Sequence, residues 1–361
     1  MKKSIDTIYH WFLLGLIILA ASCGSDSSDN DKSETALVVR NSSKLTYPKG
    51  LVKINTNDSI KIKVESKDSV SIDSISFGYN GKQLLTSTST EISLPSSVIK
   101  ATGRPRLIVK VFLSNGKTEA LYPKFNFLPD PAQRIGYTVT GEFPHKTTSY
   151  TQGLFFKDGV LYESTGQNGT SKVMTVDKTT GSIIKAIDLD NSLFGEGITY
   201  IGDSIYHLTY TAGQAYIYDM DFNKLHTFNY DGQGWGLASY GDTLLMTNGS
   251  ENIYFRDKNS FEVIKTLAVH DHNGPVRQLN ELEMINGYLY ANVYRSDEIL
   301  KIDISNGAVT GRIDLSGIFA DRQNYGSTVD VLNGIAYLPK QDKMYVTGKL
   351  WPKLYEIELV Q

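Results

Sequence analysis

The chain has 361 residues, 40% hydrophobic and 21% charged, the composition of a folded protein and not of a disordered one. Its 36 Lys and Arg stand against 39 Asp and Glu, and a net charge of −3 gives no reason to expect nucleic acid as a partner. A single cysteine excludes an internal disulfide, while 22 tyrosines and 31 glycines favour short strands joined by tight turns.

The first 22 residues read as a secretory signal. Lys2 and Lys3 precede an apolar run from Trp11 to Ala21, which ends in Ala20-Ala21-Ser22-Cys23. A basic start, a short apolar core and small residues before a cut are the parts of such a signal, and the run is too short for a membrane span. The position of Cys23 resembles a lipobox, in which the cysteine is lipidated and becomes the first residue of the mature chain. Residues 23–35, rich in Ser and Asp, then serve as a flexible tether. The expectation is a lipoprotein of the cell envelope, periplasmic or surface-exposed, held to the membrane through Cys23.

Residues 36–130 are strands and turns. The stretch 59–65 alternates Ile60, Ile62 and Val64 with polar neighbours, as a half-buried strand does. Asn80-Gly81 and Asn115-Gly116 lie between such runs and read as hairpin turns. Roughly seven strands in this length suggest a small β-sandwich of immunoglobulin type. Pro129-Asp130-Pro131 marks its end.

Residues 131–361 repeat. Five segments begin alike, at Gln152-Gly153, Glu196-Gly197, Trp235-Gly236, Asn280-Glu281 and Asn333-Gly334. A period of roughly 40–50 residues, with several strands per period and no helical periodicity, predicts a five-bladed β-propeller. The last repeat lacks one strand before the chain ends. The unassigned run 137–143 can supply it and close the ring without a raw edge.

In a propeller the first strand of each blade lines the axis, so the five starts share one mouth with the ends of the second strands. That mouth gathers Glu196, several amides, Lys349 and aromatic residues, and a buried carboxylate and lysine need a partner or a task. Glu163, inside a second strand, reads as a structural hydrogen-bonding group, and Glu283 lies further down the channel with its role open. His270 and His272 read as part of a solvated loop, with no metal site.

Seven motifs in order resemble those of plant and bacterial glutamine cyclotransferases: Tyr150-Thr-Gln-Gly-Leu154, Tyr162-Glu-Ser-Thr-Gly166, Phe194-Gly-Glu-Gly197, Gly234-Trp-Gly-Leu237, Leu279-Asn-Glu-Leu-Glu283, Leu332-Asn-Gly-Ile-Ala336 and Gly348-Lys-Leu-Trp-Pro352. The resemblance implies an axial site in which Glu196 is the general acid/base, with Asn280 and Lys349 sharing the catalytic work. Tyr150, Gln152, Phe194, Tyr210, Trp235 and Tyr294 would bind substrate. Tyr210 and Tyr294 stand where the family commonly has tryptophan. The implied reaction closes the N-terminal glutamine of a peptide or protein into pyroglutamate and releases ammonia, with no cofactor and no metal; a monomer is expected. The competing reading is a non-catalytic propeller lipoprotein that binds peptides or glycans through the same mouth.

Overall fold

The computed structural model describes residues 40–360, and the signal, the tether and Cys23 lie outside them. Residues 41–361 group as one compact unit. The fold is all-β: among the described residues the helical segments are two short 3-10 turns, Ser96–Val98 and Arg322–Thr328.

Before Pro129 there are nine strands, in a three-stranded sheet, a four-stranded sheet and one parallel pair. Strand Ser59–Ser66 shows why they form: Ile60, Ile62 and Val64 are at most 1% exposed, and the residues between them face water. They join Phe77, Val109 and Phe125 in one core. Asn80 and Gly81 both take positive φ (50° and 74°), the primed-turn geometry that matches strand twist in a two-residue hairpin. The parallel pair, Val52–Asn55 with Phe125–Leu128, carries no local sequence signal because its partners are so far apart in the chain. This region meets the rest through backbone: Thr102 N–H donates to Asn306 O at 3.1 Å.

Three four-stranded sheets follow, each a simple meander opening on an inner strand: Thr151–Lys157, Gly195–Ile201 and Leu237–Tyr240. Two more inner strands, Leu279–Ile285 and Leu332–Leu338, belong to a larger sheet. The five inner strands touch in chain order, and the last touches the first, so the arrangement is propeller-like and closed. Strand Gln133–Pro144 does the closing. Its residues 136–144 pair antiparallel with Lys353–Val360, the pairing expected for 137–143. Its first residues also pair parallel with Ala308–Asp314 of the neighbouring sheet, Ile135 against Ile313, fusing two sheets into one. That second pairing has no precedent in the repeat pattern.

Close approach explains the repeated glycines. A Cβ on Gly197 would lie 2.5 Å from Trp235 O, and one on Gly236 would lie 1.9 Å from Asn280 O. Only glycine lets neighbouring inner backbones crowd the axis this tightly.

One expectation is corrected here. His270 is not solvated: it is 6% exposed and packs against Gly103, where burial lowers its pKa. His272 is exposed, and among the described residues no cluster of metal-ligating side chains occurs.

Candidate active site

A strand alternates its side chains between two faces, so a plain strand start would not reliably aim a residue into the axis. The inner strands solve this with bulges. Register breaks fall between Thr151 and Gly153, Gly195 and Ile198, Leu279 and Leu282, and Leu332 and Ile335. Gln152, Glu196, Asn280 and Asn333 each sit inside such a break, where the extra residue re-aims a side chain. Hydroxyls of the second strands then pin two of them, Ser164 Oγ donating to Glu196 O at 2.6 Å and Thr247 Oγ1 to Asn280 O at 2.8 Å.

The result is a cavity of about 170 Å³ lined by Tyr150, Gln152, Phe194, Glu196, Tyr210, Trp235, Asn280, Tyr294 and Lys349. The nine residues that the resemblance implies for the site all line this cavity. Tyr150 and Phe194 meet edge to face with centroids 6.1 Å apart, Phe194 and Tyr210 lie 5.7 Å apart, and Trp235 and Tyr294 meet edge to face at 5.6 Å. Tyr210 and Tyr294 thus form part of an aromatic wall. Lys349 Nζ lies 4.6 Å from the Tyr150 ring centroid and 5.6 Å from that of Tyr294, within cation–π range.

Glu196 is 5% exposed and Lys349 is 4% exposed. Burial pushes the Glu196 carboxyl well above the usual carboxylate range, and Lys349 opposes that shift. Burial likewise lowers the Lys349 ammonium, which Glu196 and Asp330 partly restore. Gln152 Nε2 donates to Glu196 Oε1 at 3.2 Å, and Gln152 Oε1 accepts from Asn333 Nδ2 at 3.4 Å, so Gln152 is committed to holding the carboxylate. Among the described residues, neither the Asn280 side chain nor Lys349 Nζ has a hydrogen-bond partner, which leaves both as donors to a guest.

The competing carboxylates resolve by position. Glu163 is 1% exposed, and its Oε1 accepts from Thr151 Oγ1 at 2.7 Å and contacts His145 Nε2 at 3.2 Å. His145 burial opposes its charge, but the Glu163 carboxylate and the Trp351 carbonyl hold its pKa above the ordinary value. Glu163 is thus a tie between the closing segment and the first inner strand. Glu163→Gln is expected to cost about 1–3 kcal/mol, lowering Tm by roughly 2–4 °C per kcal/mol. Turnover by the folded protein should stay within about threefold of the parent, since the cavity walls are untouched. Thermal melts beside steady-state kinetics check this.

Sequence reading missed Glu281 and Asp330. Glu281 accepts from Leu154 N at 3.2 Å and Ile335 N at 2.9 Å, tying the first and last inner strands together below the cavity. Burial, then Glu283, raises its pKa well above normal. Its place inside the Leu279-Asn-Glu-Leu-Glu283 motif was a usable signal. Asp330 Oδ2 accepts from the Tyr150 hydroxyl at 2.9 Å, and its carbonyl accepts from Trp351 Nε1 at 2.8 Å. It lies in the connection between Ala308–Asp314 and Leu332–Leu338, outside every motif.

Glu283 accepts from Tyr337 N at 3.0 Å. Although the residue as a whole is half-buried, burial pushes its carboxyl up to about 8. Unfolded, the same group titrates near about 4.3. Between those values the folded chain holds a proton that the unfolded chain releases, so this stabilising contribution is full below about pH 4.3 and lost as pH rises through 8. Glu283→Gln removes the titration, and Tm should fall less between pH 5 and pH 8.5 than in the parent. Melts across that range give the answer.

Known proteins match this arrangement. The family described as glutamine cyclotransferase covers residues 108–359. The glutaminyl-peptide cyclotransferase of Arabidopsis thaliana is 38% identical over 227 residues, 62% of this chain and 71% of its own length. The crystal structure of Myxococcus xanthus glutaminyl cyclase aligns with a TM-score of 0.59 at 33% identity, over 63% of this chain and 98% of that one. With over half its length, residues 108–359, matched by the family, the chain belongs to the glutamine cyclotransferases.

Proposed function

We propose that this protein is a glutaminyl-peptide cyclotransferase that works by metal-free acid/base chemistry at the axis of a five-bladed propeller. The observation that carries the reading is the cavity itself, where one buried carboxylate faces an aromatic wall and two uncommitted donors. Five touching inner strands support the blade count, and the two packed sheets before Pro129 support an immunoglobulin-type module there, with a boundary near residue 130.

In the reaction the substrate's α-amine attacks the carbon of its own side-chain carboxamide. A five-membered lactam forms, the carbon–nitrogen bond of the carboxamide breaks, and ammonia leaves. The peptide α-amine has a reference pKa of about 7.7–8.0 and must shed a proton first. That proton goes to solvent; as the neutral amine attacks, Glu196 as a carboxylate takes a second proton from the attacking nitrogen and passes it to the departing one, which leaves as ammonia. The raised pKa of Glu196 suits both steps, because it makes the carboxylate a stronger base than an ordinary one while leaving the carboxyl able to give the proton back. Gln152 holds the carboxylate in place, and Asn280 and Lys349 donate to the carboxamide oxygen as negative charge grows on it. Tyr150, Phe194, Tyr210, Trp235 and Tyr294 pack the curled side chain over its amine, a positioning task for a reaction that is already intramolecular. With Glu196 the sole carboxylate and no histidine or cysteine in the cavity lining, the donor set suits proton transfer better than metal binding.

Incubation with an N-terminal glutamine dipeptide should yield ammonia and pyroglutamyl product in equal amounts. The N-acetylated dipeptide should yield neither, because its nitrogen is no longer nucleophilic. Ammonia from the acetylated peptide would mean simple amide hydrolysis and would overturn the reading. By the same proposal the mature chain sits in the cell envelope, anchored through Cys23 and acting as a monomer.

A further inference from the structure

Charge is segregated along the chain. Residues 41–128 carry 13 Lys and Arg against 6 Asp and Glu, whereas residues 129–361 carry 19 against 28. The near-neutral total conceals a basic module joined to an acidic one. In the field of a negatively charged surface such a molecule is attracted by one end and repelled by the other, and so is oriented.

The basic module also has a place for contact. A groove of about 710 Å³ is lined by Lys44, Lys49, Lys63 and Lys124 with Glu65 and Tyr122. All four lysines are exposed. Lys44 reaches Glu65 only at 3.8 Å, and Lys63 pairs with Glu91 at 2.6 Å, both in water-exposed pairs that contribute little. Among the described residues Lys49 and Lys124 have no ion-pair partner. Arg106 adds a cation over the Tyr122 ring, 5.5 Å from its centroid. Large apolar and aromatic side chains flank the lysines: Tyr122, Leu51 and Tyr47 are 49%, 45% and 41% exposed. Lysines beside exposed tyrosines and a leucine suit the headgroup layer of a bilayer, where aromatic rings sit at the interface and cations meet lipid phosphates.

We infer that this lysine-lined face docks on an anionic phospholipid surface. The N-terminus argues for the same occupant. The face begins at Lys44, and the 17 residues between Cys23 and Asn41 span at most about 60 Å fully extended. A chain lipidated at Cys23 therefore keeps this face within that distance of the bilayer. That last step rests on the anchoring proposal; the charge and the groove do not.

The test uses a fragment beginning at Asn41, which keeps the whole compact unit and lacks Cys23. It is sedimented with vesicles of phosphatidylcholine alone and with vesicles one-third phosphatidylglycerol. The expected result is binding to the anionic vesicles only, weakening as salt rises and the charges are screened. Replacing Lys44, Lys49, Lys63 and Lys124 together by Gln should weaken that binding at least about tenfold. Replacing Lys172, Lys185, Lys224 and Lys265 should not. Ammonia release from a glutamine dipeptide is measured on every variant and should be unchanged, which separates this inference from the catalytic one. Equal binding to both vesicle types, no binding to either, or binding indifferent to the four groove lysines overturns it.

Discussion

Glu196→Gln is expected to keep the fold and lose at least about 10²-fold in turnover, the usual range for removing an acid/base group. The side chain heads a bulged inner strand, is nearly fully buried, and accepts from Gln152 at 3.2 Å. Glutamine has the same shape and can accept the same hydrogen bond, so the cavity survives. It also removes the cost of a buried carboxylate, so Tm should hold or rise. KM should change far less than kcat, because the aromatic wall that packs the substrate is intact. The pH profile adds a second signature. Turnover in the parent needs Glu196 ionised and Lys349 protonated, so it rises through the raised carboxyl pKa and falls through the lowered ammonium pKa. In Glu196→Gln the carboxyl's share of the acidic limb should vanish, while the substrate amine's own titration and the alkaline limb stay.

The second large effect concerns closure. A chain beginning at residue 131 keeps strand Gln133–Pro144 and should melt cooperatively and turn over substrate. A chain beginning at His145 loses it, and with it the pairings of residues 136–144 with Lys353–Val360 and of 133–135 with Ala308–Asp314. Two outer strands become raw edges at one seam, and Tyr345 and Tyr355 lose the cover of the segment above them. That chain should show no cooperative transition and should aggregate. Melting curves and light scattering of the two fragments distinguish the outcomes; equal melting temperatures would mean the ring closes some other way.

Much of this was readable in the sequence, and the reasons differ by element. The five starts were visible because each inner strand opens on a polar or aromatic residue, in four cases followed by the glycine that axial crowding demands. The closing strand was visible as a deficit in the last repeat. Seven of the nine cavity residues were reachable through the ordered motifs, and Tyr210 and Tyr294 through their places just past the ends of second strands. Local pattern could not show the bulges that turn Gln152, Glu196, Asn280 and Asn333 inward, because a bulge is a mismatch between two strands. Nor could it show Asp330, whose value comes from meeting Tyr150 across 180 residues of chain. His270 misled because a polar, charge-flanked pair in a loop ordinarily faces solvent, whereas here the first region packs over it. Glu281 was overlooked between two residues that drew notice.

The central claim is that the axial cavity cyclises N-terminal glutamine by its own side chains. Its most direct test is ammonia release from a glutamine dipeptide by the parent protein after exhaustive chelation of divalent metals. The account predicts equimolar ammonia and pyroglutamyl product at an undiminished rate. Release that stops on chelation and returns with an added divalent cation, or no release at all, would contradict it.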